Sequence, residues 1–500
     1  MTIRRIHGLF RKPVPRIAVR WAAWVLLLAT SLSSCTKKID DTNPNLLTTV
    51  RVSLGDNNVG ANGASGALSS VGVGVVPDRA DMSDDGRYVV FSSIANNLVP
   101  GDAPPTGNAT FDVFLRDNLM KTLTLVSENA AGTGIPGDDA SYSPTISGDG
   151  RYVAFISKAN DIINFPPTDL NTKNDTITDV FVRDMQTKRT ILVSRSTGQL
   201  GAKGTNSSTN ARISKDGRFV VFETKANIDA ADSDGKPDIY RRQIGAGPTQ
   251  YETLLISRAT NVGVTPGAKG TGGANGSQFP AISADGNMIV YQSDHQNLVG
   301  PSGTEGGPKG TTVTDIFRRD VLAGVTIRVS ISTLGGSIDP NLGSEHPWIS
   351  GDGLVVVWRS FASNLFPGDD NGSDIFVRDF NFVTPTIELI SRHTSGSHAG
   401  SNCDNPTISG NGRYIVWDSG STNMVDGDSN NVRDVFLRDR GTASTIRISV
   451  ATFGGQLNAQ SLLPIITPDG RYVAFYTEAT NAADDDANGA ADFFMRGPPF

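Results

Sequence analysis

One phrase recurs seven times along this chain, and a chain that repeats itself must solve the same packing problem in every copy. Residues 85–91 read DGRYVVF. The phrase returns as DGRYVAF at 149, DGRFVVF at 216, DGNMIVY at 285, DGLVVVW at 352, NGRYIVW at 411 and DGRYVAF at 469, a mean period of 64 residues across the six intervals. A second phrase follows each copy: DVFLRD at 112, DVFVRD at 179, DIYRRQ at 238, DIFRRD at 315, DIFVRD at 374, DVFLRD at 434 and DFFMRG at 492. A third closes most units, as in TLTLVS ending at Ser127, TILVSR ending at Arg195, TIRVS ending at Ser330 and TIRIS ending at Ser449.

Each phrase has a local physical reading. Asp-Gly, or Asn-Gly at 411, stands between a short strand of the P-T-I-S kind and the strand R-Y-V-A-F. These dipeptides suit type I′ hairpin turns, in which both central residues take positive φ. The strands are near-continuous Val, Ile, Phe and Tyr, as expected of sheets covered on both faces. Every unit thus offers four short antiparallel strands followed by a glycine-rich crossover, which is the pattern of a β-propeller blade. The seventh unit ends without its T-x-x-V-S strand, and that phrase stands instead at residues 48–53 as TTVRVS. One strand from the N-terminus would complete the last blade and leave no open edge. The expected fold is all-β, a single seven-bladed propeller over residues 48–500, its last blade closed by the N-terminal strand.

The S-x-DGRYVAF…D-[VI]-F-x-R-D unit resembles the TolB-type, WD-like propeller repeat of bacterial envelope proteins, and it covers nearly the whole chain after residue 47. The resemblance implies the propeller fold and a role in binding proteins or glycans. TolB itself carries a separate N-terminal domain, whereas only a tether precedes the blades here, so TolB's own role does not transfer.

Residues 1–34 carry six cations (Arg4, Arg5, Arg11, Lys12, Arg16, Arg20) and no acid, with the apolar run WAAWVLLLATSL from Trp21 to Leu32. That run is shorter than the ~20 residues a membrane span needs and fits the core of a secretory signal. It ends in Leu32-Ser33-Ser34-Cys35, which resembles the bacterial lipobox. The resemblance implies lipidation of Cys35, a signal over 1–34, and a lipidated cysteine with tether over 35–47. The implied address is the cell envelope, with the outer membrane favoured because Thr36 follows the cysteine, and membrane contact is through the lipid alone. Loss of the signal moves the net charge from −7 to −13. An acidic body is a poor match for nucleic acid, which is met by basic patches, so no nucleic-acid partner is expected. The chain is expected to be a monomer that meets an envelope protein or a glycan.

Between the second and third strands lie loops rich in Asp, Asn and Gly. Asp484, Asp486, Asn488 and Asp492 in the seventh unit fit D-x-D-x-[DN]-G-x-x-D, similar to the calcium loops of integrin-type propeller blades. Asp426, Asp428, Asn430 and Asp434 hold the same offsets in the sixth. Asp232, Asp234 and Asp238 hold part of them in the third, where Ala230 replaces the first ligand, and the fifth keeps Asp369, Asn371 and Asp374 in a loop one residue short. Calcium takes six to eight oxygen ligands, which closely spaced carboxylates on a tight turn supply, so structural calcium is the expected cofactor. The same residues also build solvated turns. Asp112, Asp179 and Asp315 head their strands where the other ligands are missing, so that last aspartate has a job apart from metal.

Two cysteines and five histidines leave no thiolate or histidine cage. No G-x-S-x-G elbow is present, and His393 and His398 are spaced for neither a helical metal pair nor a known triad order. Arg116, Arg183, Arg378 and Arg438, each followed by Asp, read as strand-end pairs or bonds to neighbouring blades, since functional sites do not repeat identically around a scaffold. Cys403 reads as a buried, inert thiol. The functional expectation is a non-enzymatic binding or scaffold module of the cell envelope, with no catalytic residue assigned. The alternative is a propeller-fold carbohydrate-active enzyme, a polysaccharide lyase or glycosidase, using irregular segments such as 160–175 or His346-Pro347-Trp348.

Overall fold

The computed structural model describes residues 49–66, 78–99, 110–132, 134–164, 176–244, 251–262, 265–299, 312–332, 339–369, 372–382, 385–452, 454–483 and 489–497. The N-terminal address with Cys35 lies outside the described residues, as do Asp484, Asp486, Asn488 and Asn371. Among the described residues no helix is long and apolar enough to cross a membrane.

Valine-, isoleucine- and aromatic-rich segments form strands as the repeat predicts, and the described strands assemble into seven four-stranded antiparallel sheets. Blade 2 is representative: Ser141–Ile146, Tyr152–Ser157, Asp179–Asp184 and Arg189–Leu192 pair in that order. The first strand of each blade neighbours the first strands of the blades on either side, so these strands form a closed inner ring. In blade 7 the outer strand is Thr49–Arg51, which pairs antiparallel with Asp492–Arg496 in the register Thr49↔Arg496 and Arg51↔Phe494. The ring therefore closes with one N-terminal strand, as expected, and both strand edges are satisfied.

The core lies between blades. Val90 and Val113 of blade 1 pack with Val153, Phe155 and Phe181 of blade 2 in one fully buried cluster. Side chains of this kind each contribute about 1.5–3 kcal/mol on burial. Within blades, second- and third-strand aromatics stack, as Phe155 on Phe181 at 5.9 Å and Trp417 against Phe436 at 6.0 Å between centroids. Cys403 is fully buried, and burial pushes its thiol pKa up, consistent with an inert role.

The Asp-Gly turn is not of type I′. Only its glycine takes positive φ (Gly150 at 76°, Gly412 at 70°), and the preceding Asp or Asn does not. The aspartate instead accepts hydrogen bonds. Asp149 Oδ1 receives the Ser147 hydroxyl at 2.6 Å and the Arg151 N–H at 2.9 Å, while the Ser147 hydroxyl oxygen receives the Tyr152 N–H. Asn411 does the same with its carboxamide oxygen, accepting from Ser409 and Arg413. Asn and Asp are thus exchangeable here because both offer an oxygen. The glycine is demanded twice, because a Cβ on Gly150 would also lie 2.3 Å from the Tyr88 ring of the preceding blade. The same contact passes round the ring and closes with Tyr472 over Gly86.

Candidate functional site

Two places concentrate charged and polar groups: the heads of the third strands and the inner ring. The heads explain two of the recurring phrases. In all seven blades the aspartate that opens the third strand accepts the hydroxyl of the serine that closes the fourth, from Ser127 to Asp112 at 2.8 Å through Ser449 to Asp434 and Ser53 to Asp492, both at 2.5 Å. The same serine oxygen receives a third-strand N–H, as from Val180 to Ser194 and from Val435 to Ser449. A buried carboxylate needs compensation. In five blades a cation from the chain supplies it: Arg51 on Asp492, Lys203 on Asp179, Lys269 on Asp238, Arg328 on Asp315 and Arg447 on Asp434.

Blade 3 brings all three of its expected ligands together. Oxygens of Asp232, Asp234 and Asp238 lie within 4.8 Å of one another. Lys269 Nζ stands among them, 2.7 Å from Asp234, 2.8 Å from Asp238 and 3.3 Å from Asp232, while Tyr240 donates its hydroxyl to Asp232 at 2.7 Å. Burial pushes Asp238 up to about 7, against the pull of Lys269 and Ser257. Burial also opposes the Lys269 charge, but its bonds to Asp234 and Asp238 outweigh this and hold it above the ordinary lysine range. His295 beside them is pushed down to about 4 by burial and by the Lys269 charge.

Blade 6 brings together Asp428, Asn430 and Asp434 but leaves Asp426 outside. Asp428 and Asp434 meet on Arg447 Nη1, at 3.0 and 3.5 Å. Asp426 is fully exposed, 3.6 Å from His393 Nε2, and Asn430 donates to the Leu457 carbonyl. In blade 7, Asp492 is held by Arg51 and Ser53. The expected oxygen-ligated calcium thus meets, in blades 3 and 6, a protein cation in the same place. The compensating cations went unread in the sequence, although a signal exists. Arginine stands two residues before the serine in TVRVS, TIRVS and TIRIS, whereas two of the four units with leucine there carry GAKGT in the crossover, at Lys203 and Lys269.

The Arg-Asp pairs are structural. Arg116 donates to the Gly55 carbonyl of the N-terminal segment, Arg378 to the Val329 carbonyl of the preceding blade, and Arg438 to Thr445 within its own blade. Arg183 pairs with Glu128, and three of the four following aspartates bind the arginine of their own DGR or NGR, as Arg151 with Asp184 at 2.8 Å, while Asp379 binds Arg440.

The inner ring is where repetition stops being uniform. In blades 2 to 7 the first strand shifts register against the second, a β-bulge. One residue in each bulge takes positive φ: Ser143, Asn210, Phe279, His346, Asn405 and Leu463, all between 50° and 56°. Non-glycine residues there are strained, and such bulges re-aim side chains. Polar side chains from the second strands hold several of them by the backbone. Glu223 accepts the Phe279 N–H at 3.2 Å, Gln292 the His346 N–H at 3.0 Å and Asp418 the Leu463 N–H at 3.2 Å. Asp78 accepts the Ser143 N–H at 2.8 Å. The backbone is therefore the same in each blade while the side chain differs.

Around this ring, Arg79, Ser143, Asn210, Arg212, Phe279, Pro280, His346, Pro347 and Trp348 line a small, partly open cavity. Trp348 and Arg212 also line a second cavity toward the Asp-Gly turns, bounded by Lys215, Ile282, Gly351, Gly410 and Ile465. Arg79 and Arg212 lie over the Trp348 ring at 5.7 and 5.1 Å, a cation–π arrangement. His346 packs on Phe279 at 4.7 Å between centroids, and burial pushes its imidazole down to about 3. The sequence pointed to His346-Pro347-Trp348 as an irregular stretch. It gave no hint of Arg79 or Arg212, which only the ring closure brings to that stretch.

No protein-family model matches this chain, and no curated protein matches it. Solved structures do. A putative TolB from Agrobacterium tumefaciens is 15% identical over 78% of this chain and 98% of its own, with a TM-score of 0.37. TolB from Acinetobacter baumannii is 15% identical over 77% and 76%, with a TM-score of 0.35. The β-propeller domain of the Trilobed protease from Pyrococcus furiosus is 11% identical over 83% and 91%, with a TM-score of 0.45. A likeness at this level assigns no activity or partner.

Proposed function

We propose that this chain is a lipid-anchored cell-envelope propeller that binds a protein or a glycan at its inner ring without chemically altering it. The observation that supports this reading is the repeated bulge, in which one strained backbone geometry presents Ser143, Asn210, Phe279 and His346 from four successive blades toward a shared cavity. A constant scaffold with variable displayed groups is the economy of a recognition surface, and loop- or bulge-borne residues on a rigid frame commonly carry binding. The address rests on the signal-like N-terminus and on Leu32 to Cys35. An envelope cross-linking pull-down with the lipidated protein tests both parts: specific capture of a protein or glycan is expected, and failure to capture either overturns the reading.

The alternative, a carbohydrate-active enzyme on the same cavity, draws on Asp78, which burial pushes up to about 7 against the pull of Ser143 and Arg212, a value suited to a general acid or base. Against it, both Asp78 oxygens are engaged, one by the Ser92 hydroxyl and one by the Ser143 N–H. Turnover on a polysaccharide panel that is lost in Asp78→Asn would favour the enzyme.

A further inference from the structure

We propose that the inner-ring cavity is a carboxylate pocket, in which Arg79 and Arg212 hold the acid group of a small ligand. The proposal rests on the binding reading above and names the group that is recognised.

The first observation is charge without a partner. The inner ring pairs its other arginines: Arg359 with Glu345 and Asp404, and Arg433 with Asp404 at 2.8 Å and Asp418 at 2.5 Å. Among the described residues, Arg79 donates only to the Asn405 side chain at 2.9 Å and Arg212 only to the Ala211 carbonyl at 3.2 Å. Neither has a carboxylate within ion-pair distance among those residues. Burial, followed by repulsion from Arg212, brings Arg79 down to about 9. Two adjacent guanidiniums withdrawn from water, with carboxylates nearby but none in direct contact among the described residues, are costly, and an incoming anion lowers that cost.

The second observation is a buried polar atom. His346 lines the same cavity, and its Nδ1 is buried with no hydrogen-bond partner among the described residues. Buried polar atoms are ordinarily satisfied, so this nitrogen marks a place for a ligand atom.

The chemistry of the ligand follows from the surroundings. Guanidinium forks match planar carboxylates bidentately. Asp81 and Asp78 already offset part of the Arg212 charge, so a monoanion balances the site better than a phosphate dianion. The bulge N–H groups of Ser143, Phe279 and His346 are spent on Asp78, Glu223 and Gln292, which leaves side chains rather than a backbone nest to do the recognising. Phe279, Pro280 and Pro347 supply apolar wall, while Trp348 and Arg212 border both this cavity and the one beyond it.

The test uses the full chain and calorimetric titration with four small probes: glucuronate and N-acetylalanine as acids, and methyl glucoside and N-acetylalaninamide as their neutral counterparts. Inorganic phosphate is the fifth arm. At least one acid is expected to bind, its neutral counterpart not to bind, and phosphate to bind more weakly. The acid that binds identifies the body the carboxylate sits on. Arg212→Gln and Arg79→Gln are each expected to weaken it tenfold or more. Should either glutamine variant fail to fold, Arg212→Lys keeps the charge but loses the fork and is expected to weaken binding at least severalfold. Absence of binding by both acids, unchanged affinity in the folded arginine variants, or tighter binding of phosphate would overturn the proposal. If the wild-type chain captures envelope material yet ignores both acids, the carboxylate pocket falls and the binding reading stands. If it captures nothing, the binding reading itself falls.

Discussion

Lys269 Nζ lies 2.8 Å from Asp238 Oδ2, placing a lysine of the blade 3 crossover at the centre of three aspartates that look, in sequence, like ligands for calcium. The lysine side chain is 8% exposed, and those of Asp232 and Asp238 are fully buried. Lys269→Ala leaves these carboxylates uncompensated, and breaking a buried pair from one side costs about 3–5 kcal/mol. The expected outcome is a lower melting temperature for Lys269→Ala that calcium raises by linkage, while the wild-type melt responds to neither calcium nor chelator. A wild-type melt that falls on chelation would return the site to calcium.

The turn chemistry separates two roles that the Asp-Gly dipeptide combines. Asp149→Asn keeps the oxygen that Ser147 and Arg151 address and is expected to be near neutral, as is Asn411→Asp. Asp149→Ala loses both bonds, at about 1 kcal/mol for each. Gly150→Ala should cost more than Asp149→Ala, because alanine meets both the positive φ and the Tyr88 ring. Denaturant melts of the four variants give the order, and a Gly150→Ala protein as stable as wild type would contradict it.

What could be read from the residues, and what could not, divides along sequence distance. The blades, their number and the closing strand were legible because each is a local period, and TTVRVS at the N-terminus has the spelling of the missing fourth strand. The turn type was misread because Asp-Gly serves more than one turn. The deciding facts were the Ser147 and Arg151 bonds to Asp149, which the dipeptide does not display. The acidic loops were legible as clusters, but their compensation was not: Lys269 lies 31 positions after Asp238 and Arg51 lies 441 before Asp492. Arg79 and Arg212 come from different blades and reach Trp348 only when the ring has formed. A pattern search within one repeat cannot find a site to which five repeats contribute.

Ring closure rests on a short strand with a strong anchor. Arg51 pairs with Asp492 and Ser53 donates to it at 2.5 Å, all with buried side chains, beside the register Thr49↔Arg496. Removing residues 49–53 exposes the edge of Asp492–Arg496 and strands the Asp492 carboxylate. An exposed edge of this kind templates association. The truncated chain is expected to melt earlier and to elute as larger species in size-exclusion chromatography, and Arg51→Met should reproduce part of the loss without the association. A truncated chain with unchanged melting would place closure elsewhere.

Two groups at the inner ring give opposite pH dependences. Burial, with the nearby Arg359 and Arg79 charges, lowers His346 from 6.5 to about 3. The unfolded chain therefore takes up a proton between those values that the folded chain refuses, and stability falls as pH drops from about 6.5 toward 3. Asp78 is raised from 3.8 to about 7 by burial. Its contribution is fully present below about 3.8 and is lost as pH rises through 7. Against the wild type, His346→Asn should lose less stability between pH 7 and pH 4.5, and asparagine tolerates the positive φ at this position. Asp78→Asn should gain relative stability above pH 7, since its oxygen still accepts the Ser143 N–H. Thermal melts of the three proteins across pH 4 to 8.5 separate the contributions. Parallel curves for His346→Asn and wild type would show that the imidazole titrates alike in the folded and unfolded chains.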